Sequence, residues 1–382
     1  MMKTIRDVAV LGAGIAGSSL AKAMADRGWD TVLIDRHSFP RHKVCGEFLS
    51  PESQSTLKAL GLGELVESLH PSMMTRVRLI LSHGAVLDIP LPDRALGISR
   101  YALDQALHSA AIRSGVDVQT AAAVTSVSQS GGGYTIEISR EGEKTVCEAR
   151  AVIAAWGANP RSGLPGHPSN RSAKNTFMGV KSHYRGIDMD AAVELYFFPG
   201  GYLGLAPVEG GIVNAAALLK REAFRVTGKS IPEIIEAAGR KNPKLDAKLA
   251  QAVPVPGTQA AVAPVKLNRR PVAWDVIPRV GDASLMVPPL CGDGMSMGLR
   301  SARLCATLAD GYLRGEMSLS EWEREYMLSV RKEFTGPLRW GRLLQSLLGF
   351  PAVPRLLLGL AHLAPELAYE MVRATRLNET DV

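Results

Sequence analysis

The stretch "AVLGAGIAGSSLAKAMADRGWDTVLIDRHSF", residues 9–39, decides how the rest of the chain is read. Its first residues are apolar enough for a secretion signal, and its glycines suit a nucleotide site. The signal reading fails because an amphipathic helix and a second buried strand follow at once, an ordered continuation that a cleaved segment does not need. "DVAVLGAG" reads as a buried strand, "IAGSSLAKAMADRG" as a helix ending at Gly28, and "DTVLID" as the next strand. Gly12, Gly14 and Gly17 supply GxGxxG at the strand-to-helix turn. The first permits the tight turn, the second lets a pyrophosphate approach the backbone, and the third lets the helix pack close to the strand. The helix N-terminus then offers free N–H groups and a positive dipole end to the phosphates. Asp35, closing the second strand, is the expected partner of a ribose hydroxyl. These residues predict dinucleotide binding and leave open whether the dinucleotide is a nicotinamide or a flavin.

Bulk properties narrow the class. A chain of 382 residues suits one large α/β unit or two interleaved domains. The net charge of +7 comes from scattered basic residues rather than tracts interleaved with aromatics, which argues against nucleic acid as a partner. Cys45, Cys147, Cys291 and Cys305 show no CxxC pair and no His in ligand spacing. Neither a metal site nor a disulfide framework is expected, and a cytoplasmic setting is the default. No apolar run reaches the roughly eighteen residues of a membrane span.

The flavin question turns on residues 278–313, "PRVGDASLMVPPLCGDGMSMGLRSARLCATLADGYL". A strand end, a Pro/Gly loop and a long helix follow one another here. The segment resembles the second flavin-binding motif of the para-hydroxybenzoate hydroxylase-like FAD enzymes. The resemblance implies that Asp282 contacts the ribityl chain and that the helix N-terminus, around Gly294 and Met295, points at the flavin pyrimidine edge. A dipole end there stabilises negative charge on a reduced flavin. "GISRYALDQALHSAAIRSGVDVQ", 97–119, resembles the superfamily segment that places an Arg beside FAD, here Arg100, with Asp104 supporting the helix. "ARAVIAAWGANPRSGL", 149–164, resembles the return to the Rossmann sheet, although Trp156 and Pro160 depart from the hydroxylase pattern. The expected cofactor is FAD. With no second GxGxxG in the chain, NAD(P)H or another reductant is expected to dock transiently.

"SFPRHKVCGEFLSPES", 38–53, resembles the geranylgeranyl reductase-like branch, whose pattern runs Pro-Arg-x-Lys-x-Cys-Gly-Gly/Glu. Pro40, Arg41, Lys43, Cys45 and Gly46 match in order. The resemblance implies a loop beside the isoalloxazine, with Gly46 allowing close approach. Cys45 is a small apolar residue on its own, yet Arg41, His42 and Lys43 would favour its thiolate. The branch signature Tyr-x-Trp-x-Phe-Pro appears as "YLGLAP": Tyr202 and Pro207 remain, while Gly204 and Ala206 replace bulky residues. That departure implies a differently shaped pocket. Cys45 and Tyr202 are the candidate catalytic residues, since no His or carboxylate in these motifs is an obvious proton donor. "AWDVIP", 273–278, is similar to the halogenase Trp-x-Trp-x-Ile-Pro but has one Trp, and "MMTRVRLILSHGAVLDIP" lacks a plausible catalytic Lys.

The expected fold is α/β: a discontinuous Rossmann-type FAD-binding domain (1–165 and 276–325), an inserted mixed β-sheet substrate domain (166–275) and C-terminal helices (326–382). Residues 70–95 are expected to join the substrate sheet, and "SIPEIIEAAGRKNPKLDAKLAQA" reads as helix. The last sixty or so residues are expected to form apolar helices broken by Pro351, Pro354 and Pro365, capping the channel, dimerising or resting on a membrane surface. The expected cofactor contacts are Gly12, Gly14, Ile15, Ala16, Gly17, Asp35, Arg36, Arg41, Cys45, Gly46, Arg100, Val124, Asp282, Pro289, Gly292, Gly294 and Met295. The resulting functional reading is an FAD-dependent oxidoreductase acting on a carbon–carbon bond of an apolar metabolite, isoprenoid or polyketide, with hydride transfer at flavin N5. The alternatives are an FAD monooxygenase acting on an aromatic or polyketide substrate, a flavin halogenase and a flavin-containing electron carrier.

Overall fold

A computed structural model describes residues 5–158, 164, 177–224, 230–267, 269–348, 373, 374, 376 and 377. The chain opens with β1 (Arg6–Leu11), α1 (Ile15–Ala25), β2 (Thr31–Ile34) and β3 (Phe48–Leu49). Helices α2 (Ser53–Ala59) and α3 (Gly63–Glu67) lead into a long hairpin of β4 (Ser72–Ile80) and β5 (Val86–Gly97). Next come α4 (Arg100–Arg113), β6 (Asp117–Gln119) and a meander of β7 (Ala123–Ser130), β8 (Gly133–Arg140) and β9 (Glu143–Ala154). Then follow β10 (Phe177–Arg185), β11 (Ala192–Phe198), β12 (Gly201–Val208) and β13 (Ile212–Lys220). Helices α5 (Ile231–Gly239) and α6 (Pro243–Leu249) precede β14 (Val253–Pro254), β15 (Ala260–Val265), β16 (Trp274–Asp275) and β17 (Ile277–Pro278). Two long helices follow, α7 (Gly294–Leu313) and α8 (Leu319–Leu348).

The first sheet has the order β6-β2-β1-β9-β8-β7. Its β6, β2, β1 and β9 run parallel, and β8 and β7 return antiparallel. β1 is buried on both faces, as parallel strands under helices are. Val8 and Val10 pack towards the core that holds Leu20, Met24 and Leu299, while Ala9 and Leu11 pack with Val32 and Ile136 on the other face. A bridge from Ala154 to Arg279 brings the remote 278–313 motif to the end of β9, and α7 packs against α1. The motif's expected strand is short, ending at Pro278.

The second sheet has the order β14-β10-β13-β12-β11-β4-β5-β3, with β15 pairing β10. The hairpin β4–β5 thus belongs to this sheet. Alternation sorts its residues between two surroundings. Tyr196, Leu203 and Leu205 face the core shared with Ile235 of α5 and Leu245 of α6. Phe197, Tyr202 and Leu218 face the opposite side with Leu81 and Val265. A one-residue slip in register would exchange these two sets.

Several sequence expectations are corrected. Residues 230–252 form two helices rather than one. Asn242 interrupts them, its side chain accepting from Lys244 N (3.2 Å) and Leu245 N (3.4 Å), with Pro243 starting α6. In "VAPVKLNRRPVAWDVIP", strand character ends at Val265 and returns only in the short pair β16–β17. The helix α8 begins at Leu319 and continues through position 326, carrying Pro337 within it. The breaks expected at Pro351, Pro354 and Pro365 lie outside the described residues.

Candidate active site

The glycine turn is built as its spacing requires. Gly12 has φ +115°, and a Cβ there would lie 2.4 Å from the Ala155 carbonyl oxygen. A Cβ on Gly17 would lie 1.8 Å from the Gly12 carbonyl oxygen. These glycines let β1, α1 and β9 close on one another. Gly14 differs: its nearest obstruction is Arg100 Nη2 at 3.8 Å, so its open side is left for a ligand. Asp35 secures the same turn, taking hydrogen bonds from Ala13 N (2.8 Å) and His37 N (2.8 Å). Burial alone would raise its carboxyl, but the bonds from His37 and Ala13 outweigh it and hold it below the ordinary range. The His37 ring Nδ1 also lies 3.0 Å from Oδ1, and Oδ2, with one bond, keeps a lone pair for a ribose hydroxyl.

A cavity of about 670 Å³ runs from this turn to the inner face of the second sheet. Gly14, Ile15, Ala16, Arg36, Arg41, Cys45, Gly46, Arg100, Tyr202, Asp282, Pro289, Gly292, Gly294 and Met295 all line it. Gly12, Asp35 and Val124 instead line a smaller recess of about 70 Å³ that shares Gly14, Arg36 and Arg41 with the main cavity. Gly17 lines neither and serves packing.

The cavity fits FAD in its donors as well as its shape. At the nucleotide end, Arg41 Nε and Trp156 Nε1 are buried without a partner among the described residues, beside the open face of Gly14. Asp282, 37% exposed on its side chain, lies 3.9 Å from Lys43. The start of α7 meets the cavity at Gly294 and Met295, presenting a helix N-terminus. The loop before it turns at Gly292, whose φ is +72°. Together these supply cations and N–H groups for phosphates, a carboxylate for hydroxyls and a dipole end for a reduced ring.

Beside Gly14, Arg100 is buried and held by Asp104 through two bonds of 2.9 and 2.7 Å. Asp104 therefore orients the arginine as well as sitting in the helix. Cys45 accepts from Glu47 N at 3.4 Å, and its carbonyl takes a bond from Asn214 (2.9 Å). The Tyr202 hydroxyl is buried without a partner among the described residues, and burial pushes its phenol well above the ordinary range. Such a phenol keeps its proton.

The fold also brings a carboxylate and a histidine together beside these motifs, residues that the sequence reading did not single out. Glu47, directly after Cys45–Gly46, is fully buried in a left-handed conformation (φ 56°). Its Oε1 accepts from Lys181 Nζ (2.6 Å) and from Arg100 N (2.9 Å), and its Oε2 lies 2.6 Å from His183 Nε2. The Glu stood in the quoted motif as the Gly/Glu alternative. Lys181 and His183 carried a fainter signal: two cations at period two on a strand whose neighbours are apolar imply a buried counter-charge.

The Rossmann sheet, its glycine turn and the second flavin motif define an FAD-binding oxidoreductase. The chain belongs to the FAD binding domain family, whose model matches residues 6–320. It is 28% identical to digeranylgeranylglycerophospholipid reductase 1 of Methanothermobacter thermautotrophicus, over 85% of this chain and 83% of the relative. It is 27% identical to the menaquinone reductase of Mycolicibacterium smegmatis, over 80% of this chain and 77% of the relative. In fold it is similar to a flavin-dependent brominase, with a TM-score of 0.79 at 18% identity, covering 97% of this chain and 93% of that one.

Proposed function

We propose that the protein reduces a carbon–carbon double bond in a long apolar lipid, of the prenyl-chain or prenyl-quinone type. One observation carries the reading: the FAD cavity continues without a break onto an apolar face of the second sheet. Val77, Leu79 and Ile89 from the β4–β5 hairpin line it beside Val193, Leu195 and Phe197 of the neighbouring β11. Gly204 and Ala206 of β12 and Ala216 of β13, beyond β11, continue the lining with small residues and leave a trough, where an extended chain can lie with its polar end elsewhere. Reductases of a geranylgeranyl lipid and of menaquinone among the relatives support this substrate class.

When bound and reduced, FAD supplies the hydride. The protein's residues hold the double bond close, exclude water and deliver a proton to the other carbon. Cys45, on the cavity wall and flanked by Arg100, is assigned the proton-bearing position, with Tyr202 shaping the wall beside it. A lipid surface is the proposed site of substrate entry. Helix α8 exposes Met327, Leu328, Trp340 and Leu343 among Arg324, Arg331, Lys332 and Arg339, and its Leu344 lines the cavity. Among the described residues no helix is long and apolar enough to cross a membrane.

The test is anaerobic single turnover. FAD-loaded protein is reduced, then mixed with detergent-dispersed digeranylgeranyl lipid or menaquinone. Flavin reoxidation with a two-hydrogen mass gain in the lipid is expected. Reoxidation only on admitting air, with oxygen inserted into product, would replace this reading with a monooxygenase.

A further inference from the structure

Behind the Cys45–Gly46 loop lies a buried group of charges, of which Glu47 reaches the cavity wall. Lys181 and His183 project from β10 on the cavity side, and each meets an oxygen of Glu47. Lys181 and Glu47 side chains are 0% exposed and His183 is 6% exposed. The two nitrogens are 2.9 Å apart, near enough to exchange a proton directly. Burial would raise Glu47, but the His183 bond and the Lys181 charge hold it below the ordinary range, so it is ionised at neutral pH. One positive charge then balances the group, and it has two seats: Lys181 and His183. Beside an oxidised flavin a second charge in so dry a place is strongly disfavoured, and the negative charge gained on flavin reduction offsets that penalty and draws a proton to the second seat.

The group has an outlet and an inlet. Cys45, on the cavity wall, feels the charges of Lys181 and Arg100, and Asp104 neutralises the latter. On the other side the His42 ring meets the His183 ring edge-on at 5.2 Å and stacks on Tyr101 at 4.8 Å. Tyr101 is 44% exposed, so the aromatic series leads to solvent. His42 faces Lys181, His183, Glu47 and Glu209; burial, helped by the positive charge held at Lys181 and His183, pulls it down to about 4. It is therefore uncharged at neutral pH. His42, Glu47 and His183 also place ligand atoms within 4.8 Å of one another. The Lys181 ammonium lies 2.6 Å from Glu47 Oε1 and 2.9 Å from His183 Nε2 of this group.

We propose that Glu47, Lys181 and His183 form a buried proton store serving the cavity, with His42 as its connection to solvent. The role in catalysis rests on the lipid-reductase reading. There, one alkene carbon gains hydride and the other gains a proton as the Cys45 S–H bond breaks. The two electrons come from reduced FAD, recharged by NAD(P)H or another two-electron donor. The thiolate recovers its proton from an N–H of Lys181 or His183, and His42 relays a replacement from water.

The experiment uses the FAD-loaded protein without substrate, so it stands or falls apart from the lipid reading. Bound FAD is reduced electrochemically in weak buffer, and proton uptake is followed with an indicator dye. Wild type should take up more protons per FAD than Lys181→Met or His183→Gln at equal FAD occupancy; equal uptake overturns the proposal. His42→Gln should slow uptake about tenfold or more, and added imidazole should restore the rate. Unchanged uptake, or a loss that imidazole leaves in place, rejects His42 as the connection. Should the His183→Gln variant fail to fold, nitrogen-15 histidine spectra of the oxidised wild type and Lys181→Met decide the matter. Lys181→Met should raise the His183 titration, because the single charge moves to its other seat; an unmoved His183 overturns the shared store.

Discussion

Arg376 reaches back across 83 residues to donate to Asp293 Oδ1 at 2.8 Å, binding the far end of the chain to the residue that starts α7. Its guanidinium also lies 5.6 Å from the Phe48 ring centre and 3.9 Å from Glu52. Arg376 lines the cavity at this point, so the helix end presented to FAD is held by a buried ion pair. Two carboxylates share one cation here.

That sharing sets a pH dependence. Burial, with Glu52 adding to it against Arg376, raises the Asp293 carboxyl from 3.8 to about 6. A carboxyl raised on folding stabilises the protein fully below its unfolded value and loses that contribution as pH rises through the folded value. Stability should therefore fall between about pH 4 and 6 by on the order of 2–3 kcal/mol from this group. Urea unfolding of wild type and Asp293→Asn across this window should show the wild-type advantage shrinking as pH rises. A constant difference would refute the assignment.

The two kinds of glycine in the opening turn should separate in experiment. Gly12→Ala and Gly17→Ala force a Cβ into backbone oxygens and should cost several kcal/mol of stability. Gly14→Ala meets no protein atom closer than 3.8 Å, so it should melt near wild type yet bind FAD at least about tenfold more weakly. Calorimetry paired with FAD titration checks both. A Gly14→Ala protein with wild-type FAD affinity would remove the pyrophosphate from this turn.

Asp282 should matter to the cofactor more than to the fold. Its carboxylate is part-exposed in the cavity wall. Losing a charge-assisted hydrogen bond costs roughly 1.5–3 kcal/mol, so Asp282→Ala should weaken FAD by about tenfold or more. Fluorescence titration of apoprotein with FAD measures this, and unchanged affinity in a folded variant would reject the ribityl contact.

The apolar trough makes a size prediction. Ala206 is 2% exposed and lines the cavity next to Gly204. Ala206→Phe fills the trough, so KM for a prenyl-chain lipid should rise about tenfold while FAD occupancy stays at the wild-type level. An unaltered KM would place the lipid elsewhere.

The opening stretch by itself determined a Rossmann nucleotide turn, because each of its glycines answers a local steric demand that neighbouring residues state in full. The remote motif at 278–313 extended this to FAD, since its loop and helix are contiguous in sequence. Tertiary structure alone decided the rest. Glu47 meets Lys181 and His183 across separations of 134 and 136 residues, and Arg376 meets Asp293 across 83. No periodicity encodes such pairs, because hydrophobic patterning fixes which face of a strand is buried and not which partner faces it. The charge cluster exists only because the β10 register turns Lys181 and His183 to the cavity side, where the left-handed loop at Glu47 brings a carboxylate between them.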